Sequence, residues 1–139
     1  MTDLKPTDFK FIEVEFADII RSIREVDSTG LPSNAFTKRK TYILINKYKL
    51  YITEFLKNGF IDKFFYDLYD EKDKTVLKFH SEKHDRDSRY QTITEPFHIH
   101  QNEQNQLTNV HRFPNFNYRT LTNIMEFLRI MIIYMEKRK

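Results

Sequence analysis

The sequence contains no cysteine and no tryptophan, and it has only 2 glycines and 4 prolines among 139 residues. The lack of cysteine excludes disulfide scaffolds, cysteine-ligated zinc or iron–sulfur sites and thiol nucleophiles. The scarcity of glycine excludes most glycine-rich loops that hold nucleotide phosphates. No apolar run approaches the roughly 18 residues of a membrane span, and no secretory signal is recognisable. These absences predict a cytoplasmic protein without a membrane partner.

What remains is the composition of a folded domain with a mildly basic surface. The chain is 40% apolar and 15% aromatic, which supplies enough apolar area for the core of a single domain spanning residues 1–139. Lys and Arg total 23 against 20 Asp and Glu, so the net charge is +3 at pH 7. This excess of positive charge favours a polyanionic partner such as nucleic acid.

The N-terminal segment predicts a helix. Ile12, Phe16 and Ile19 recur at helical spacing, which indicates a helix from about residue 8 to 18, with residue 25 as its outer limit. Thr7 or Asp8 would cap its first turn. Apolar residues between positions 9 and 16 also alternate as they would in a strand, so the helix is the favoured of two interpretations.

The middle of the chain predicts antiparallel strands separated by tight turns. Apolar and polar residues alternate in runs rich in β-branched and aromatic side chains. Asn58-Gly59 is a strong hairpin signal because both residues tolerate the positive φ of a type I′ turn, and a second turn is expected near Asn46–Lys47. The expected strands are Tyr42–Asn46, Tyr48–Leu56, Phe60–Tyr69 and Thr75–His80, with a possible fifth within Pro96–Gln101. The expected loops or irregular segments are Asp27–Lys40, Ser81–Thr94 and Asn102–Tyr118.

A long helix is predicted at the C-terminus, over Thr120–Lys137, with Asn117 or Thr120 as its cap. The predicted fold is α+β: an antiparallel meander sheet of four to five strands packed against an N-terminal and a long C-terminal helix. The apolar stripe of this last helix is unusually wide, which predicts a partner, either a second copy in a homodimer or another protein. The stripe comprises Leu121, Ile124, Met125, Leu128, Ile132 and Met135, with Phe127, Ile130, Met131 and Ile133 beside it.

All five histidines fall within one segment of the chain, between His80 and His111. Histidine acts as acid or base near neutral pH, so this clustering is the strongest functional signal in the sequence. In Phe97-His98-Ile99-His100 the histidines alternate with apolar residues, and an extended chain would direct both to one side of the sheet. If the neighbouring strand lies close, His80 would share that surface.

Acid–base chemistry on a phosphodiester is the favoured interpretation of this cluster. RNA cleavage needs a base for the 2′-hydroxyl proton and an acid for the leaving 5′-oxygen, each contributing typically 10²–10⁴-fold. His98 and His100 are the first candidates, with His80 or His84 as substitutes. Cations must also stabilise the crowded phosphate, and Arg86 and Arg89 flank the histidines. No metal and no cofactor is required by this chemistry.

The first predicted hairpin carries an acid-free run of cations with interleaved tyrosines. Positive charges neutralise phosphates, and aromatic rings stack on unpaired bases. Lysines on an edge strand would also serve simply to deter edge-to-edge pairing. The candidate RNA-binding residues are Lys38, Arg39, Lys40, Tyr42, Lys47, Lys49 and Tyr51.

The motif at Glu95–His100 follows a charged segment and precedes the C-terminal helix. It resembles the Pro-His-His-Lys-His signature of the TumE-like family of bacterial and archaeal toxin–antitoxin proteins. His98 and His100 match the second and third histidines of that signature. Phe97 stands in place of the first histidine, and Ile99 stands in place of the lysine.

The resemblance covers roughly residues 40–130. Within it, His80 stands where the family has an arginine and Glu82 where it has an aspartate, in an Arg-(Tyr/Trp)-Asp-Asn segment. The resemblance implies a toxin, plausibly a ribonuclease, whose partner is a cognate antitoxin, a small DNA-binding protein. The other segments that carry it are Tyr48–Phe55, Phe64–Tyr69 and Val76–His84.

Two other functions remain open from the sequence. The His-x-His pair would also bind a metal ion, with His80, His84 or Glu82 as a third ligand. Alternatively, the Lys/Tyr hairpin would serve a non-catalytic module that binds RNA or protein. A metal-independent endoribonuclease is the favoured of the three interpretations.

Overall fold

Strands adjacent in the chain are also adjacent in space and form one antiparallel sheet. The computed structural model describes residues 4–81, 97–101, 112–115 and 119–137. Within these residues seven strands pair in sequence order, so the α+β meander is confirmed and the sheet is wider than the expected four to five strands. The strands are β1 (Ile20–Arg24), β2 (Thr37–Leu44), β3 (Lys49–Lys57), β4 (Phe60–Tyr69), β5 (Thr75–His80), β6 (His98–Gln101) and β7 (Arg112–Pro114), and the helices are α1 (Phe9–Glu15) and α2 (Leu121–Lys137).

The N-terminal helix is shorter than the longest prediction. The Asp8 carboxylate caps α1 by accepting a hydrogen bond from the backbone N–H of Phe11 at 3.1 Å, and the helix ends at Glu15. Residues 20–24 are not helical but form β1, so the extension to residue 25 was wrong. Pairing with β2, through Ile23 opposite Tyr42, supplies the hydrogen bonds that a helix would otherwise have provided.

Two expected loops contain strands that the sequence pattern did not reveal. β2 already begins at Thr37, within the predicted loop Asp27–Lys40. β7 lies within the segment Asn102–Tyr118 that was expected to be irregular. Both strands are recognised only through their partners, since β2 pairs along most of β3 and β7 pairs with β6. The predicted loop Ser81–Thr94 lies outside the described residues apart from Ser81.

The turns of the central meander follow the sequence closely. Asn58 and Gly59 have φ values of 54° and 80°, as a type I′ hairpin requires. Strands β4 and β5 have the predicted bounds. The β2–β3 connection is a short turn in which Asn46 and Lys47 also have positive φ, at 60° and 64°.

Helices α1 and α2 pack on one face of the sheet, called here the covered face. The predicted stripe of α2 is buried from Leu121 to Ile132, and Thr120 caps the helix by accepting from the N–H of Asn123 at 3.2 Å. No helix among the described residues is long and apolar enough to cross a membrane. The buried core comprises Ile12, Phe16, Ile19, Tyr42, Leu44, Leu50, Ile52, Ile61, Phe64, Tyr66, Leu68, Phe79, Phe97, Leu121, Ile124, Met125, Leu128 and Ile132.

Candidate nucleic-acid interface

The opposite side of the sheet, called here the outer face, carries aromatic, cationic and histidine residues in rows set by the strand register. Side chains alternate across a strand, so the residues between the buried positions of β3, β4 and β5 share this face. Those residues are half-buried rather than enclosed. Across the strands, one row of paired positions is Tyr51, Asp67, Lys78 and His100, and the next is Thr53, Phe65, His80 and His98.

A histidine–carboxylate pair lies at the centre of the outer face. His80 Nε2 is 2.8 Å from Asp67 Oδ1, and both side chains are largely sheltered, at 13% and 22% exposed. An ionised carboxylate only accepts hydrogen bonds, so this contact places a proton on Nε2 of His80. The ring of Phe65 meets the His80 imidazole edge to face, with centroids 4.7 Å apart. The Asp67 carboxylate and the Phe65 ring therefore hold the imidazole in one orientation.

Strand β6 brings two further histidines to this part of the sheet. β5 and β6 pair so that His98 is directly opposite His80 and His100 is opposite Lys78. Directly opposed residues of an antiparallel pair have Cα atoms about 4.5–5.5 Å apart. The proximity of the two strands, on which the sequence argument depended, is therefore present. Three other predicted site residues, His84, Arg86 and Arg89, lie outside the described residues.

Aromatic rings and lysines alternate over the rest of the outer face. Tyr51 and Tyr69 pack edge to face with centroids 5.3 Å apart, and Phe55 and Phe65 do so at 6.0 Å. Lys63 Nζ lies 4.8 Å from the centroid of the Phe55 ring. Half-exposed rings with cations above them offer both of the contacts that unpaired nucleic acid uses, stacking on bases and attraction to phosphates.

The predicted RNA-binding residues of the first hairpin divide between the two faces. Lys49 and Tyr51 belong to the outer face, at register positions next to Tyr69 and Asp67. Lys47 lies in the β2–β3 turn with its side chain 78% exposed. Lys38 is exposed near the start of β2.

Arg39 is less available than the sequence suggested. Its side chain is 17% exposed, and its Nε lies 3.5 Å from Asp27 Oδ2. Its guanidinium also donates to the carbonyl of Pro32 at 2.8 Å. Burial works to raise the pKa of Asp27, but hydrogen bonds from Thr29 and Leu31 and the charge of Arg39 outweigh it and lower that pKa. Arg39 therefore holds the loop before β2 against the strand.

Tyr42 and Lys40, two of the predicted RNA-binding residues, lie on the covered face and not on the outer face. Tyr42 is fully buried on the covered face, where its hydroxyl donates to Glu13 Oε2 at 2.9 Å. Burial, and then the hydrogen bond and charge of Glu13, raise the pKa of Tyr42 far above its ordinary value. Lys40 Nζ contacts the same carboxylate at 2.5 Å and Glu25 at 3.4 Å. Both residues attach α1 to the sheet.

Two strand carboxyl groups, those of Asp67 and of the buried Glu54, were not among the predicted site residues. Asp67 was detectable in principle, because it alternates with Phe65 and Tyr69 along β4 and so shares their face. Glu54 lies among the buried positions of β3 and is fully buried. Its Oε2 accepts hydrogen bonds from the hydroxyls of Tyr66, at 2.6 Å, and Thr7. Nothing in the local pattern distinguishes this glutamate from a solvated one.

A metal site is not assembled by the described side chains. Among them, no three His, Asp or Glu residues gather closely enough to bind an ion. The side chains of His98 and His100 and the residues 82–96 are outside that description. The donor set suggested by the sequence, His-x-His with His80, His84 or Glu82, is thus not tested by the geometry.

Comparisons with known proteins found no match: no family model matches the chain, and no curated protein or solved structure is significantly similar to it.

Proposed function

We propose that this protein binds single-stranded RNA on the outer face of its sheet and cleaves it as a metal-independent endoribonuclease. The observation that carries the proposal is the hydrogen bond between His80 and Asp67. In the register of the sheet, His80 is also directly opposite His98. Two histidines on paired strands supply the acid and the base that the reaction needs. The aromatic and cationic surroundings supply the contacts that hold an unpaired strand.

In the proposed mechanism His80 and a histidine of β6 share the proton transfers. The neutral imidazole that accepts the 2′-hydroxyl proton becomes a cation, and the Asp67 carboxylate stabilises that cation when it forms on His80. The second, protonated histidine, His98 or His100, donates to the leaving 5′-oxygen. The positive charge of Lys78, which is paired with His100 in the register, stabilises the negative charge on the phosphate oxygens. Arg86 or Arg89, in the segment that follows β5 in the sequence, would add to this stabilisation.

The test is cleavage of a short single-stranded RNA by single variants. We expect His80→Ala, and one of the two variants His98→Ala and His100→Ala, to lower the rate at least 100-fold, because these changes remove the base and the acid. Asp67→Asn should lower the rate as well and change its pH profile, since an amide no longer stabilises the charged imidazole. The matched control is Glu126→Gln, which removes an exposed carboxylate on α2 and should retain full activity.

The pH profile and a chelator separate this mechanism from its alternatives. Two titrating histidines predict a bell-shaped dependence of rate on pH, with apparent pKa values that belong to the pair. Cleavage should persist in chelator. Loss of activity in chelator, restored by one divalent ion, would support the metal-binding alternative. Full activity in all histidine variants would contradict both the acid–base mechanism and the metal-binding alternative.

We further propose that the chain is the toxin of a toxin–antitoxin pair, as the resemblance to the TumE-like family implies, with a small DNA-binding antitoxin as partner and the cytoplasm as its location. Expression should arrest growth, and His80→Ala should relieve the arrest. The homodimer through α2 remains a prediction; Ile130 and Tyr134 are 70% and 53% exposed on that helix. Light scattering of the wild type and of Ile130→Glu checks it, and a monomer at all concentrations would contradict it.

A binding module without catalysis is the second candidate, because the rings and lysines of the outer face support it independently of any histidine. It predicts salt-sensitive RNA affinity that persists in all the histidine variants. Absence of cleavage by the wild type, together with such binding, would favour it.

A further inference from the structure

A cleft of about 570 Å³ lies where β1 meets the β2–β3 turn. Small-molecule sites are typically about 300–1,000 Å³, so the cleft is large enough for one nucleotide. Two of its seven lining residues are apolar and three are cationic. The lining residues are Arg21, Ile43, Leu44, Asn46, Lys47, Lys49 and Glu71.

Three cations and one carboxylate line this cleft, and a second carboxylate, Asp73, lies 3.2 Å from Lys49, so the positive charges exceed the negative ones by one. Arg21 is exposed on the edge strand β1 and forms no ion pair with any residue that the structure describes. Lys47 lies 3.5 Å from Glu71, and both of these side chains are more than half exposed. Such exposed pairs contribute about 0–1 kcal/mol, so a multiply charged anion would compete with Glu71 for the lysine.

The backbone conformation of the turn is a second, independent sign that Lys47 is functional. Among the described residues, two turns have consecutive left-handed residues, Asn46-Lys47 and Asn58-Gly59. The second uses glycine, which adopts φ of 80° without steric cost. The first places a lysine at φ of 64°, a conformation that costs energy for a residue with a Cβ. Strain of this kind concentrates at functional positions.

The cleft is continuous with the proposed RNA interface. Ile43 pairs with Lys49, and Lys49 pairs with Tyr69. Tyr69 in turn packs against Tyr51, within the row that contains Asp67. A strand lying on the rings of the outer face would therefore reach the cleft at the edge of that face.

We propose that this cleft binds a terminal phosphate of the RNA strand and so determines where along the strand cleavage occurs. A terminal phosphomonoester carries about −1.5 to −2 charge at pH 7, whereas an internal phosphodiester carries −1. Arg21, Lys47 and Lys49 match the more highly charged group, and the Asn46 amide, which also lines the cleft, is suited to hydrogen-bond the terminal nucleotide. The proposal depends on RNA binding at the outer face. A free nucleoside monophosphate has the same chemistry and is the other possible occupant.

The test compares oligonucleotides of one sequence, 2′-O-methylated so that they are not cleaved, that carry a 5′-phosphate, a 3′-phosphate or hydroxyls at both ends. We expect one phosphorylated form to bind wild-type protein about tenfold more tightly than the hydroxyl form. Glu71→Gln should increase that preference, and Arg21→Gln or Lys49→Gln should reduce it. Equal affinity for all three oligonucleotides would overturn the proposal.

Replacement of Lys47 by glycine separates binding from structure. Lys47→Gly removes the cation and relieves the left-handed strain, so the melting temperature should stay the same or rise while the preference for a terminal phosphate is lost. Lys57→Gln, beside the other turn, is the matched control and should retain the preference. A Lys47→Gly protein with undiminished preference would contradict the assignment.

Binding of adenosine monophosphate to the same proteins distinguishes the two occupants. The cleft binds an RNA end if the oligonucleotides show the preference for a terminal phosphate and the nucleotide competes with them through its phosphate group. Nucleotide binding that Arg21→Gln abolishes, in a protein that binds no oligonucleotide, would overturn both this proposal and RNA binding. Oligonucleotide binding without preference for any end would overturn this proposal alone.

Discussion

The two faces of the sheet use the same residue types for different purposes. On the covered face, Lys40 and Tyr42 contact Glu13, and Glu54 accepts from Tyr66. On the outer face, a lysine lies above an aromatic ring and a histidine pairs with a carboxylate, while all of them remain partly accessible. Helices over a sheet exclude water, so polar groups there must be satisfied within the protein. A half-buried face leaves the same groups able to contact a ligand.

The largest expected difference between the faces is in stability. Ile52 is fully buried on the covered face, so Ile52→Ala should lower the free energy of unfolding by about 2–5 kcal/mol. Its neighbour Thr53 is half-buried on the outer face, and Thr53→Ala should cost far less, because little apolar area is lost. Denaturant titration of the two variants measures the difference. Similar losses in both would contradict the division into a structural and a ligand-binding face.

A smaller difference is expected in affinity for single-stranded RNA. Tyr51→Ala and Phe65→Ala should each weaken binding by about 1–3 kcal/mol, the usual contribution of one base–aromatic stack, with a modest effect on stability. Phe36 is 74% exposed but lies before β2, away from the outer face, so Phe36→Ala is the control. Fluorescence anisotropy with a labelled oligonucleotide measures the affinities. Equal losses in all three variants would place the RNA elsewhere.

The smallest expected difference between the faces is in how their carboxyl groups make stability depend on pH. Burial raises the pKa of Glu54, and the hydrogen bonds from Thr7 and Tyr66 offset this only in part. The folded state therefore holds the Glu54 proton more tightly than the unfolded chain does. This contribution to stability is fully present below the ordinary pKa of 4.5 and is lost as pH rises through the folded value.

Glu54→Gln should reduce the loss of stability as pH rises. Denaturant titrations between pH 4 and 8 should show the stability of the wild type falling relative to the variant as pH rises. Glu71→Gln, on the exposed β4–β5 turn, is the matched control and should follow the wild type. A wild type that gains stability relative to Glu54→Gln as pH rises would mean that the hydrogen bonds outweigh burial.

The middle of the molecule was the most predictable part. Strands β4 and β5 have the predicted bounds to the residue. The Asn58-Gly59 turn accounts for the start of β4, because a tight turn determines the register of the strands it joins. The stripe of α2 was equally readable, since a 3.6-residue period directs one face to the core. Strand β1 was missed because it follows a segment whose apolar residues recur at helical spacing, and β7 was missed because it is only three residues long.

The candidate site was predictable only in part. The cluster of histidines pointed to the region, and alternation in Phe97–His100 indicated the right kind of element. The sequence did not show that His80 pairs with Asp67, nor that Tyr42 and Lys40 lie on the covered face. These outcomes depend on which strands are neighbours and on where α1 packs, and both involve residues far apart in the chain.

The sequence by itself determined the elements with local causes: the capped first turn of α1, the two left-handed turns, the alternating strands and the amphipathic α2. Its composition also determined that no thiol chemistry occurs, because there is no cysteine. Only the tertiary structure decided which polar residues are sealed in the core and which share the outer face. Burial and hydrogen bonding are properties of pairs of segments: Glu54 and Asp67 are both strand carboxylates, and what surrounds each of them is supplied by other parts of the chain.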